Sequence, residues 1–290
     1  MGRVGMLDIK LFVCCHQQAD VPKQPLLFPI QAGAALTKTR FPGFLQDNTG
    51  DNISDRNRSY CELTAQYWAW KNAKAGYYGF FHYRRYLYPD THAKRPYRVE
   101  YSPTHPLLDK LDYDHFSALI QEYDIILPMG EDMHIPVREH YSKAPFHHAR
   151  DLNLIEEIIR CRYPAYTKAM EQYLSETICY FGNIYIMKRE WFQAYCTWLF
   201  SILEEFDQRA QTEGYITQEQ RVDGYLAERL LGVYAAKMQE DPSVRMLELP
   251  RVHFTSSRSL MWKKRTVNLL LPPGSRRRAT VKSFYSKSVF

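Results

Sequence analysis

No apolar run in these 290 residues approaches the roughly 20 consecutive residues that a bilayer-spanning helix needs. The amino terminus also lacks the charged-then-apolar pattern of a secretion signal. These absences predict a protein that stays in the cytoplasm. Cysteines stand at 14, 15, 61, 161, 179 and 196, with no CxxC pair and too sparsely for a disulfide scaffold. They read as reduced, mostly buried thiols. His140, Tyr141, His147 and His148 share a polar stretch but lack the helical or turn spacing of a metal site. Acidic residues are missing from one region altogether: Arg258, Lys263, Lys264, Arg265, Arg276, Arg277, Arg278, Lys282 and Lys287 follow one another without an Asp or Glu between them.

What is present suits one large α/β domain, residues 1–255, followed by a basic amphipathic tail, residues 256–290. Hydrophobic residues at 45% and charged residues at 24% are ordinary for a globular core, whereas 22 Tyr and 15 Phe are a heavy aromatic load. Such rings fill cores and also stack on sugar faces. In the tail, Leu260, Trp262, Leu269 and Leu270 interleave with the cations. This is the composition of a membrane-surface element, each cation adding on the order of 1 kcal/mol of attraction to an anionic leaflet. A solvated tail and a nucleic-acid contact are the alternatives, and Pro272-Pro273-Gly274 breaks the segment in two.

Along the chain, Ile9 to Cys15 reads as a buried parallel strand that delivers His16 and Gln17 to the carboxyl edge of a sheet. Ser59 and Glu62 have capping-box spacing, which predicts a helix starting near Tyr60 and ending by Gly76. Tyr77 to Tyr83 is the next strand and carries His82, Arg84 and Arg85 to the edge where open α/β sheets bind ligands. Forked guanidinium donors suit an oxyanion such as a departing diphosphate. The competing reading pairs both arginines with carboxylates and buries His82 as a core residue.

In the loop from Phe41 to Arg58, Asp47, Asp51, Asn52 and Ser54 are either ligand contacts or turn-formers bonding their own backbone. Pro89 to Pro106 reads as a surface loop or flap. Asp112-Tyr113-Asp114 has the Asp-x-Asp shape of a cation site, but it precedes the amphipathic run HFSALIQEY, where Asp114 suits an N-cap. Asp124 to Pro128 is a strand, with Glu131, Asp132 and His134 just beyond it. Helices follow at Ala149 to Tyr163 and Ala165 to Leu174, split by Pro164, and then a strand from Cys179 to Lys188 containing Gly182 and Asn183. Glu190 to Phe206 is a helix with an aromatic core stripe. The last motif, Gln220 to Leu231, offers Asp223 and Glu228 as carboxylates, Glu228 having Arg221, Arg229 and the Arg84–Arg85 pair as possible ionic partners.

Eight segments taken in order, LFVCCHQ (Leu11 to Gln17), PIQAGAAL (Pro29 to Leu36), DNTGDNIS (Asp47 to Ser54), YCELTAQYWAWKN (Tyr60 to Asn72), GFFHYRRYL (Gly79 to Leu87), DIILP (Asp124 to Pro128), FGNIYIMKREWF (Phe181 to Phe192) and GYLAERLL (Gly224 to Leu231), resemble a family of bacterial capsule and O-antigen glycosyltransferases that was long catalogued as a domain of unknown function and includes galactofuranosyltransferase domains. The resemblance implies a GT-A-like nucleotide-sugar-binding α/β fold, with a mostly parallel central sheet flanked by helices. It implies a nucleotide-sugar donor and, with it, a lipid-linked or growing glycan acceptor. Transfer of galactofuranose from a UDP-sugar is one activity associated with such domains, though the motifs leave donor identity open. The basic tail, read as a membrane-surface element, places the chain on the inner face of the cytoplasmic membrane. The resemblance assigns His16, Asp51, Asn52, His82, Arg84, Arg85 and Asn183 to the donor. Glu228 and Asp223 become candidates for the base of an inverting transfer. With GFFHYRRY standing where acidic ligands would be expected, the arginines replace a metal and no cofactor is required. The rival version is metal-dependent through Asp112 and Asp114 or Glu131 and Asp132. Rivals of another class are a noncatalytic nucleotide-sugar or anionic-glycan binding module, and a nucleic-acid binder, the last not favoured.

Overall fold

Alternation within the first apolar run builds the core on two sides. In β1 (Ile9–Cys15), Phe12 and Cys14 join one hydrophobic layer while Ile9, Leu11, Val13 and Cys15 join the other. The computed structural model describes residues 8–101 and 106–284 and sets β1 inside a ten-stranded sheet. β2 (Leu27–Gln31) and β3 (Leu45–Gln46) extend the sheet outward in parallel. α1 (Asn57–Tyr60) and α2 (Leu63–Asn72) then cross over to β4 (Tyr77–His82), which lies parallel to β1 on its other side. Gly79 keeps these strands close, since a Cβ there would stand 2.5 Å from Leu11 Cδ2.

From the end of β4 the chain doubles back. β5 (Arg85–Leu87) and β6 (Tyr97–Tyr101) lead through α3 (Pro106–Asp109) and α4 (Tyr113–Gln121) to β7 (Ile125–Pro128). β8 (Glu131–Asp132) follows, then α5 (Val137–Lys143), α6 (Ala149–Arg162) and α7 (Thr167–Ser175), and β9 (Ile178–Cys179) closes a two-stranded ribbon with β8. β10 (Tyr185–Lys188) inserts antiparallel between β4 and β7. α8 (Arg189–Arg209) and α9 (Val222–Met238) pack in the helical layer, and β11 (Met246–Leu249) runs parallel to β7. β12 (Arg251–Thr255) then pairs with both β5 and β6, and α10 (Arg258–Leu270) and α11 (Arg276–Phe284) complete the described chain. The expected class holds: a mostly parallel central sheet flanked by helices. The α8 stripe is core as expected, with Tyr195, Trp198 and Leu199 buried, each such side chain contributing about 1.5–3 kcal/mol.

Several local expectations fail for identifiable reasons. The helix predicted from Tyr60 ends there instead. Cys61 takes φ 52 and ψ −127, which no helix accommodates, and α2 restarts at Leu63. The capping box is not formed: Ser59 donates to Asp223, and Glu62 accepts from Asn183 Nδ2 at 2.8 Å. The strand predicted over Cys179–Lys188 is two pieces, because Gly182 (φ 96) and Asn183 (φ 47) are left-handed and break the pleat. The Pro89–Pro106 loop contains β6, stabilised by long-range pairing with β12. Asp112, rather than Asp114, caps α4, accepting from His115 N at 2.9 Å. The basic segment is docked at its start: Met261 is buried, and Arg265 donates to Val99 O at 2.8 Å and to Glu100 at 2.7 Å. Tyr285 and Lys287, and the side chain of Lys282, lie outside the described residues.

Candidate active site

Strand register brings the candidate cations together. Cys14 pairs with His82, so the ends of β1 and β4 coincide and His16, His82, Arg84 and Arg85 leave the sheet side by side. They line a cavity of about 780 Å³ whose other walls are Asn57, Arg58, Cys61 and Glu62 from the α1–α2 corner, Gly182, and Arg221, Gly224, Tyr225 and Glu228 from the start of α9. Asp47 holds that corner rigid. It is fully buried and accepts from Gly33 N (2.7 Å), Ala34 N (2.9 Å), Ser54 Oγ (2.5 Å) and Thr64 Oγ1 (2.6 Å). Each carboxylate lone pair is therefore engaged, and the loop after β2 is fastened to α2.

Arg84 and Arg85 are exposed to this cavity, and neither forms an ion pair among the described residues. Arg84 lies 4.9 Å over the Tyr83 ring, while Arg221 donates from Nε to Cys61 Sγ at 3.3 Å and lies 5.5 Å over Tyr225. Burial lowers the pKa of Arg85, with Glu228 opposing that shift and Arg251 adding to it. Lys264 on α10 feels the same field: burial, then Arg84 and Arg85, depress its pKa. His82 responds as well. Burial and then the two arginines lower its pKa to about 2, so the imidazole is neutral, and Nδ1 accepts from Arg84 N at 3.3 Å. That tautomer leaves Nε2–H as a donor. His16, its ring 5.8 Å from that of His82, is likewise held toward the neutral form by burial and then Arg84 and Arg221.

Two carboxylates face this cationic set, and one turn holds both. Gly182 N donates to Glu228 Oε1 at 2.7 Å, leaving Oε2 at 3.7 Å from Arg229 Nη2. Asn183 Nδ2 donates to Glu62 Oε1 at 2.8 Å and to Gly224 O at 3.0 Å. Burial raises the pKa of Glu62, the Asn183 hydrogen bond opposes the rise, and Glu228 reinforces it. A neutral pair of imidazoles, several guanidinium groups and two anchored carboxylates can bind a polyanion and accept a proton beside it.

Of the residues singled out in the sequence, His16, His82, Arg84, Arg85 and Glu228 meet at this cavity. Asp223 does not line it. It is fully buried, accepts from Ser59 on one oxygen and has no partner on Oδ1, and burial with neighbouring Asp207 drives its pKa upward. Asn183 is 2% exposed, and its amide reaches Glu62 and the α9 backbone rather than the cavity. Asp51 accepts from Tyr67 OH at 3.2 Å, while Asn52 bonds Gly50 O (2.8 Å) and Ser54 N (3.2 Å). Asn52 serves its own turn, because a short polar side chain finds nearby backbone before it finds a ligand, whereas Asp51 ties that turn to α2 through Tyr67.

Glu62, Arg58, Tyr225 and Cys61 were not foreseen as cavity residues. Glu62 was visible as half of a capping box, but its tertiary partner Asn183 lies 121 positions away. The acidic pairs of the metal-dependent rival are engaged elsewhere: Asp112 caps α4, Glu131 pairs with Arg251, and Asp132 lies 3.0 Å from His134 Nδ1. Among the described residues no group of three or more His, Cys, Asp or Glu could hold a metal ion. His147 and His148 are packing groups, stacked at 4.2 Å on Tyr225 and 4.5 Å on Tyr215. Among the described residues no helix is long and apolar enough to cross a membrane.

No curated protein matches the chain. Among solved structures, the apo structure of the WbbM bifunctional glycosyltransferase is similar, with a TM-score of 0.77 and 29% identity. The match covers 86% of this chain and 45% of that one, so this chain spans less than half of that protein's length. Residues 10–240, which include every cavity residue named above, match the family described as Domain of unknown function (DUF4422), and the chain belongs to that family.

Proposed function

We propose that the chain is a glycosyltransferase that moves a hexose from a UDP-sugar to a lipid-linked or growing surface-polysaccharide acceptor, with inversion at the anomeric carbon. The observation that carries this reading is the set of unpaired guanidinium groups at the end of β4, open to a cavity in which Glu228 is held opposite them. Likeness to a bifunctional glycosyltransferase supports the reaction class. Galactofuranose and galactopyranose are the candidate hexoses.

In this reading Arg84, Arg85 and Arg221 bind the donor diphosphate and take up the charge that grows on it as the glycosyl bond breaks. The neutral His16 and His82 add hydrogen bonds without adding charge. Glu228, anchored through one oxygen by Gly182 N, receives the proton of the acceptor hydroxyl as that oxygen attacks the anomeric carbon. The products are the glycosylated acceptor and UDP. Cationic side chains do the work of a divalent ion, so transfer proceeds in a chelator. On α10, Trp262, Leu269 and Leu270 are 62%, 67% and 65% exposed among cations, which suits contact with an anionic leaflet carrying the acceptor.

The test is transfer by the purified full chain from a panel of UDP-hexoses to lipid-linked acceptor, with and without chelator. Turnover that persists in chelator and falls with Glu228→Gln supports the reading. Binding of UDP-sugars without any turnover points instead to the noncatalytic module, and turnover restored only by a divalent ion refutes the arginine mechanism.

A further inference from the structure

A second cavity, of about 630 Å³, lies between the β5–β6 connection, β6, the start of β12 and α10. Its wall divides by chemistry. Lys94, Arg95 and Arg98 line it as exposed cations, and none of them forms an ion pair among the described residues. Arg98 lies 4.3 Å over the Tyr88 ring. Arg251, only 2% exposed, is bound to Glu131 and donates to Phe181 O at 3.1 Å, yet its buried Nε has no partner. The two acids in the wall are committed: Asp90 accepts from His92 N at 3.1 Å and Glu100 from Arg265 at 2.7 Å. Beside Asn268, Arg265 and two tyrosines, an apolar wall is made by Val99, Pro250 and Pro273, with Leu269 continuing onto the exposed Leu270 and Trp262 face of α10.

A solvated surface explains single cations but not their convergence on an apolar cavity. A free phosphate would neutralise the cations and leave the apolar wall in water. A phospholipid diester brings one negative charge to three unpaired cations and a buried guanidinium. A diphosphate linked to a hydrocarbon chain carries at least two charges even when a sugar is esterified at its other end, and so supplies more charge and an apolar body together. Arg251 also ties this cavity to the first, because Phe181, which it holds, precedes the Gly182 that anchors Glu228.

We propose that this cavity binds the diphosphate of a lipid carrier, with Lys94, Arg95 and Arg98 on the phosphates and the hydrocarbon lying along Leu269 toward Trp262. The assignment rests on the reading of the chain as a transferase with a lipid-linked acceptor, and it names the part of that acceptor which the protein grips.

The test is calorimetric titration of the full chain with farnesyl diphosphate, farnesol, inorganic diphosphate and, separately, UDP. The expected result is saturable binding of farnesyl diphosphate at least tenfold tighter than that of farnesol or inorganic diphosphate. A Lys94→Ala/Arg95→Ala/Arg98→Ala variant, which trims three exposed side chains on β6 and the connection before it, should lose that preference while its UDP affinity and melting temperature stay as in the parent. Leu269→Glu should weaken farnesyl diphosphate and leave inorganic diphosphate unchanged. Equal binding of farnesol, undiminished binding in the triple variant, or loss of farnesyl diphosphate binding only in Arg84→Ala/Arg85→Ala would each overturn the proposal. Failure to bind UDP would count against the donor site alone, since the lipid titrations are read independently.

Discussion

The arginines of the helical layer and those at the end of β4 live under opposite conditions. On α6 and α8, Arg160 meets Glu156 at 3.0 Å, Arg162 meets Glu205 at 3.0 Å, and Arg209 meets Glu205 at 2.9 Å. These half-exposed pairs satisfy one another within the chain, and each is worth about 0–1 kcal/mol. Arg84 and Arg85 stand beside each other at a cavity, with no ion pair among the described residues; burial first and then their field lower the pKa of His82 and Lys264, and burial with Arg84 and Arg221 lowers that of His16. Guanidinium charge gathered without direct ion pairing, with Glu228 and Glu62 facing it only across the cavity, costs folding free energy. A fold that carries it is poised for an anion from outside, whereas the α6–α8 network has its counter-charges built in.

The sharpest way to break this contrast is through the carboxylate facing the cations. Glu228→Gln keeps the hydrogen-bond geometry but removes the proposed base. Its kcat is expected to fall by about 10²–10⁴ with UDP affinity retained, as read by steady-state kinetics beside calorimetry. Equal loss of binding would make Glu228 a structural charge. Gly182→Ala comes next, because it forces a side chain onto φ 96 and disturbs the turn that holds both carboxylates. Strain of about 1–3 kcal/mol should lower the melting temperature, and kcat should drop about tenfold while UDP affinity changes little.

Asp223 sharpens the comparison from the buried side, where an acid lacks a full set of partners. Burial, then Asp207, carries its pKa from the ordinary 3.8 up to about 8. The folded state therefore holds the proton more tightly than the unfolded chain. That stabilisation is complete below pH 3.8 and is lost as pH rises through about 8. Asp223→Asn, neutral throughout, should flatten the decline in melting temperature between about pH 4 and about pH 8. An unchanged slope would mean that another group carries it. The smallest effect is expected at the membrane face. Replacing Trp262 and Leu270 by Ser should weaken sedimentation with anionic vesicles several-fold and leave UDP binding alone, and equal sedimentation would place the lipid contact elsewhere.

Much of this arrangement was readable from the chain, and the failures share a cause. β1, β4, α8 and α9 announce themselves by local period, and the β1–β4 alignment follows once both are parallel neighbours, which is why His16, His82, Arg84 and Arg85 were found. Glu228 needed only the recognition that α9 begins near the cavity. What could not be read depends on partners far along the chain. β5 is three residues long and β6 sits in a proline-rich polar stretch, and both become strands because β12 pairs with them. Ser59 and Glu62 have the right spacing for a cap, yet Asp223 and Asn183 outbid the local backbone for them. Asn52 closes its own turn and Asp51 ties that turn to Tyr67 on α2, while Glu62 looks like a cap but faces the cavity. Type and spacing reveal which residues can do chemistry, but tertiary pairing decides which way they face.

The most direct measurement is calorimetric titration of UDP into the full chain and into Arg84→Ala/Arg85→Ala, in chelator throughout. Saturable binding by the parent is expected, with a loss of about 100-fold or more in the variant, from two charge-assisted contacts of about 1.5–3 kcal/mol each. Equal affinity in both proteins, or binding by the parent only after a divalent ion is supplied, would contradict the arginine mechanism.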